Sequence, residues 1–110
     1  MKMKILSTNR LLATYTREKK MKFKLHFTET QIPFGIQAVH RFENGYGVSV
    51  IRNNFSMGAT LGLFEIALLS KDGDIQYDQQ PLPAGVLGWL KMYEVQDIMS
   101  NINDLTPEEK

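Results

Sequence analysis

The sequence predicts an α+β fold: an antiparallel sheet of about four to five strands, arranged as two hairpins and a single strand, with one C-terminal amphipathic helix packed on it. Two observations predict this class. Apolar residues alternate with period two in several short stretches between residues 22 and 78, and they recur with helical spacing after residue 94. Because the strands come first and the helix last, we expect the helix to cover one face of an antiparallel sheet.

The chain has the size and composition of one globular domain. It contains 110 residues, of which 43% are hydrophobic and 23% are charged, which are ordinary values for a folded protein. We expect a basic N-terminal leader or arm over residues 1–20, a single α+β domain over residues 21–105, and a frayed tail over residues 106–110.

The firmest local pattern is a hairpin centred on Asn44-Gly45. Alternating stretches at 36–43 and 46–52 flank this dipeptide, which is typical of a two-residue turn whose central residues both have positive φ. Before the hairpin, residues 22–28 alternate Phe, Leu and Phe with polar residues, which predicts a half-buried strand.

A second hairpin is predicted from Asp72-Gly73. Residues 63–70 alternate as a strand, and residues 74–78 are expected to return as its partner. Two prolines make 79–85 a loop, and the apolar run 86–90 is either a strand or a turn. A C-terminal helix is predicted because apolar residues recur at i, i+3, i+4 and i+7, at Val95, Ile98, Met99 and Ile102.

The formal net charge of +1 is the sum of a basic N-terminal segment and an acidic remainder. Residues 1–24 contain eight basic residues and one acid, whereas residues 25–110 contain five basic residues and eleven acids. The run Met21-Lys22-Phe23-Lys24 repeats the character of the first four residues, so residues 1–20 are either a leader or a basic arm for nucleic acid or an acidic partner. The arm's candidate phosphate contacts are Lys2, Lys4, Arg10, Arg17, Lys19 and Lys20.

No residue pattern indicates catalysis, a metal or a cofactor. The absence of cysteine excludes disulfide scaffolds, thiol catalysis and cysteine metal sites, and favours a cytoplasmic protein. His40 falls on an apolar strand face, as packed histidines do, and Asp72-Gly73-Asp74 lacks the spacing of a calcium loop. Glu65 either pairs across strands with Arg41 or Arg52 or is buried with a raised pKa. No stretch is long and apolar enough for a membrane span.

Four apolar or aromatic residues are candidates for contact with a partner protein. Phe55 and Met57 occur in the otherwise polar and glycine-rich stretch 53–62, where they either fold back over the core or face a partner. Trp89 and Tyr93 flank the start of the helix and belong to residue types that are enriched both in cores and in interface hot spots.

Several segments taken together resemble small uncharacterised proteins of tailed bacteriophages and prophages. They are residues 44–50, 62–69, the pair Tyr77-Asp78 after Gly73, 86–90, and Glu94-Val95, in a match that covers roughly residues 44–105. Those proteins carry a hydroxyl helix cap where this chain has Lys91. The resemblance implies an accessory gene product in the bacterial cytoplasm and supplies no reaction.

The sequence therefore predicts a small, non-catalytic, protein-binding module of phage type, of the kind that modulates a host factor. Self-association through an edge strand is an allied expectation. The alternative is a nucleic-acid-binding module that uses the basic arm.

Overall fold

The computed structural model describes residues 22–30, 35–53 and 58–107. These residues form one antiparallel sheet with strand order β1-β2-β3-β4-β5 and one C-terminal helix, so the predicted α+β class is confirmed. The elements are β1 (Thr28–Thr30), β2 (Gly35–Arg41), β3 (Gly47–Asn53), a 3₁₀ helix (Ala59–Leu61), β4 (Phe64–Leu69), β5 (Val86–Leu90) and α1 (Met92–Asn103).

The hairpin at Asn44-Gly45 forms between β2 and β3, but its loop has three residues. Phe42 N donates to Tyr46 O at 2.8 Å, and Gly45 N donates to Phe42 O at 3.1 Å. Gly45 has a φ of 99°, whereas Asn44 does not have positive φ. The predicted two-residue turn is therefore wrong, because a type I turn followed by a left-handed glycine closes the hairpin instead.

The stretch 22–28 keeps its predicted side-chain alternation without forming the predicted strand. Phe23, Leu25 and Phe27 are partly buried against the core, but pairing with β2 begins only at Thr28. The backbone of Phe23 pairs with the helix and not with β2, because its N–H and C=O form hydrogen bonds with the Gln96 side chain of α1. The segment therefore lies on the helix side of the sheet.

The second predicted hairpin forms but is shorter than predicted. Gly73 N donates to Ser70 O at 2.9 Å in the turn. The returning chain pairs with the end of β4 only around the bridge Leu69↔Ile75, where Ser70 N donates to Asp74 O and Gln76 N to Leu68 O, both at 2.8 Å. The neighbour of β4 is instead β5, through the pairs Phe64↔Leu90, Ile66↔Leu87 and Ala67↔Val86. The apolar run 86–90 is thus a strand.

The core lies between α1 and one face of the sheet. The predicted helix positions Val95, Met99 and Ile102 are fully buried, Ile98 is partly buried, and Gln96 is buried although the apolar stripe did not include it. The other buried core residues come from the sheet and its loops: Phe42, Tyr46, Val48, Val50, Ile66, Leu68, Leu82 and Leu90.

Candidate protein-binding surface

Strand β5 contains a bulge that changes the direction of Trp89. Between the pairs Phe64↔Leu90 and Ile66↔Leu87, β5 has one residue more than β4. Trp89 lies in this bulge and has a φ of 63°, in the left-handed region. That region costs a residue with a Cβ about 1–2 kcal/mol, and such backbone strain concentrates at functional sites.

The Trp89 side chain is 58% exposed and lies against loop backbone. Gly58 supports it, since a Cβ at position 58 would be 3.1 Å from Trp89 Cα and 3.4 Å from ring atom Cε3. Gly58 also has a φ of 86°. Glycine at position 58 is therefore favoured by its positive φ and by the crowding of Trp89 and of Leu63, whose Cβ would lie only 2.9 Å from an added Cβ.

Three further apolar side chains are exposed on the elements that adjoin Trp89. Leu87 lies two residues before it on β5, Leu61 ends the 3₁₀ helix that follows Gly58, and Tyr93 lies in the first turn of α1. Leu61 is 68% exposed. We call Leu61, Leu87, Trp89 and Tyr93 the Trp89 surface.

The elements under this surface are fixed by polar contacts. Arg52 lies over the Phe64 ring at 4.9 Å and donates to Gly62 O at 3.1 Å, which holds the end of the 3₁₀ helix. Helix α1 begins after Lys91, which has no side-chain acceptor for the first-turn N–H groups. Glu94 supplies the reciprocal contact, since its Oε1 accepts from Lys91 N at 2.8 Å. The helix start is thus ordered without a hydroxyl cap.

The structure describes two of the four predicted protein-contact residues, Trp89 and Tyr93, and both are exposed. Phe55 and Met57 lie outside the described residues. So do all of the candidate phosphate contacts of the basic arm, Lys2, Lys4, Arg10, Arg17, Lys19 and Lys20.

His40 belongs to an aromatic cluster on the helix side of the sheet. Its ring lies 4.8 Å from the Phe42 ring and 5.7 Å from the Phe23 ring, both edge-to-face. Burial lowers the pKa of His40 from its ordinary value, because the apolar surroundings disfavour the charged imidazolium. This geometry is that of a packed histidine.

Glu65 is half-buried on the sheet face opposite α1. The two arginines considered as its partners both donate to backbone carbonyls, Arg41 to Ser70 O at 2.7 Å and Arg52 to Gly62 O. Across the described ranges, no three histidine, aspartate or glutamate side chains come together as a metal site.

Comparison of the chain with protein-family models, curated proteins and solved structures finds no match. Within residues 22–30, 35–53 and 58–107, no helix has the length and apolar character needed to cross a membrane.

Proposed function

We propose that the protein is a non-catalytic binding module that contacts another protein through the Trp89 surface. The observation that carries this proposal is the combination of strain and exposure at Trp89. A bulky side chain is held in a left-handed backbone conformation and is still 58% exposed. Since the core gains little from it, the strain is best understood as maintained for an external contact.

The composition of the Trp89 surface fits protein recognition. Tryptophan and tyrosine are residue types that often dominate interface energies. Trp89 is also the only tryptophan of the chain. The surface is built on the bulged strand β5 and the first turn of α1, which hold the anchor rigidly and limit the entropy lost on binding.

The phage resemblance gives the partner a context. In a phage-type accessory protein that acts in the bacterial cytoplasm, the partner is a host protein, and binding modulates it. The bulge in β5 favours side-chain contact over strand addition, because bulges interrupt the regular edge that an added strand requires.

Quantitative affinity capture from bacterial lysate tests the proposal. The baits are the wild type, Trp89→Ala, and Tyr77→Ala, which removes another exposed aromatic ring from the loop between β4 and β5. We expect a protein captured by the wild type and by the Tyr77 variant to be lost with the Trp89 variant, and the purified pair to bind at least tenfold more weakly after Trp89→Ala. Equal binding by all three baits would overturn the proposal.

A further inference from the structure

The sheet face opposite α1 is open and unusually apolar for a solvated face. On an antiparallel sheet with one covered face, the uncovered positions are ordinarily polar. Here Val39 on β2 is 57% exposed, and Ile51 on β3, Ala67 on β4 and Val86 on β5 line the same face. Together with the loop 70–75 these residues line an open depression of ≈ 520 Å³.

From this face we infer that two copies of the chain pack sheet against sheet, with their α1 helices on the outside. The charges on the face support a second copy as the occupant. Its lining contains one cation and one anion, Arg41 and Glu65, together with the polar Gln37 and Ser49. The face is therefore electrically balanced, whereas residues 25–110 as a whole contain six more acids than bases.

The strand register places the two charges so that they complement themselves under two-fold symmetry. Arg41 and Glu65 occupy diagonal corners of the β2–β4 region, and the row Val39↔Ser49↔Ala67 runs between them. A two-fold axis in the plane of the interface, passing through Ser49 perpendicular to the Arg41–Glu65 diagonal, brings Arg41 of each copy over Glu65 of the other. With ordinary strand spacing and rise, the strands of the two sheets then cross at about 70°, close to orthogonal sheet packing.

Arg41 can serve this contact while keeping its place in the monomer. Its contacts with Ser70 O and Gly45 O both use Nη1, and a guanidinium has five N–H donors. In a two-fold interface each such contact occurs twice, so the Arg41–Glu65 pair contributes at two points.

The area of the face suits a weak dimer. The five strands contain 28 residues, which give a flat footprint of about 450 Å². Counted on both copies this is about 900 Å², below the roughly 1,200 Å² of standard interfaces and in the range of transient ones. We therefore expect a reversible dimer with a dissociation constant that is measurable by dilution.

Sedimentation equilibrium of the full chain over a range of concentrations tests the inference. We expect the mass to rise to twice that of the monomer, and Val39→Asp to weaken the dimer at least tenfold. The matched control is Leu61→Asp, which places the same charge at an exposed leucine on the Trp89 surface and leaves the dimer unchanged.

The charge pair provides a second and independent readout. Arg41→Glu alone and Glu65→Arg alone should each weaken the dimer, because each places like charges opposite each other, and the double variant should restore it. A wild type that stays monomeric, or a dimer that both Val39→Asp and the single reversals leave intact, would overturn the inference. Trp89→Ala should not affect the dimer, so this result is separable from that of the proposed function.

Discussion

The side chain of Gln96 pairs with the backbone of Phe23 through both of its amide atoms. Phe23 N donates to Gln96 Oε1 at 2.8 Å, and Gln96 Nε2 donates to Phe23 O at 2.9 Å. Gln96 is only 2% exposed. The amide thus supplies the donor and the acceptor that a neighbouring strand would supply, and it holds Phe23 over the core beside His40 and Phe42.

Replacing this amide by a carboxyl group should destabilise the protein in a pH-dependent way. In Gln96→Glu the ionised side chain cannot donate to Phe23 O and is buried, so we expect a loss of about 2–4 kcal/mol at neutral pH. Burial and the need for a donor both raise the pKa of the new carboxyl above its unfolded value of about 4.3. Stability relative to the wild type should therefore recover as the pH falls and be lost as it rises.

Chemical denaturation at several pH values measures this effect. The control is Gln80→Glu, at an exposed loop position, which should change the free energy of unfolding by less than about 0.5 kcal/mol at every pH. If Gln96→Glu is as stable as the Gln80 variant at neutral pH, the pairing with Phe23 does not hold the segment.

Asn44 links the β2–β3 hairpin to the C-terminal end of α1. Its Nδ2 donates to Ile102 O at 2.8 Å and to Leu105 O at 3.2 Å, while its Oδ1 accepts from Tyr46 N at 3.0 Å. Asn44→Asp replaces the donor with an anion that faces carbonyl oxygens at the negative end of the helix. We expect a loss of about 2–3 kcal/mol from the lost contacts and the repulsion.

Asn103→Asp is the matched control for Asn44→Asp. It adds the same charge near the same helix end at an exposed position, without removing the contacts of Asn44. Thermal unfolding should show a Tm loss for the Asn44 variant that clearly exceeds that of the control. Equal losses would mean that charge near the helix end, and not the contact from the hairpin, determines the effect.

The backbone conformation of Trp89 can be tested by comparing two truncations at the same site. Because a Cβ is unfavourable at positive φ, Trp89→Gly should be more stable than Trp89→Ala by about 1 kcal/mol. At Leu87, which lies on the same strand without positive φ, the order should reverse and glycine should be the less stable by about 0.5–1 kcal/mol. Urea unfolding measures both differences, and the same order at both positions would argue against a strained Trp89.

His40 should give a pH-dependent contribution of predictable sign. Burial lowers its pKa in the folded state below the unfolded value of about 6.5, so the unfolded chain takes up this proton first as the pH falls. The contribution is fully present above the unfolded pKa and is lost as the pH falls through the folded pKa. NMR titration of the His40 ring should show the lowered pKa, and His40→Phe should remove this part of the pH dependence. A pKa at or above the unfolded value would contradict the packing of His40 between Phe23 and Phe42.

The parts of the fold that the sequence predicted are those determined by local periodicity. Alternation identified β2, β3 and β4, and the apolar stripe identified α1, because each pattern reflects one buried face. The turn signal at Asp72-Gly73 predicted a partner strand that forms only a bridge, since the position beside β4 is occupied by β5. The sequence pattern of each segment predicts a strand, but it does not show which of two distant segments pairs with β4.

The candidate surface was predicted only by residue type. Trp89 and Tyr93 were identified as aromatic residues at the helix start, but exposure and burial were equally consistent with the pattern. The left-handed conformation of Trp89 could not be predicted from the sequence. Glycine is the residue type that usually adopts this conformation, and a glycine, Gly88, stands directly before Trp89. The burial of Gln96 likewise depends on a backbone partner more than 70 residues away along the chain.

Site-specific photocrosslinking in bacterial cells tests most directly whether the Trp89 surface contacts another protein. A benzophenone amino acid is placed at position 89 in one variant and at position 77 in the other, so that both probes replace an exposed aromatic side chain. We predict one discrete adduct with a different protein from position 89 and none from position 77. The absence of an adduct from position 89, an adduct only with a second copy of the chain, or the same adduct from both positions would contradict the account.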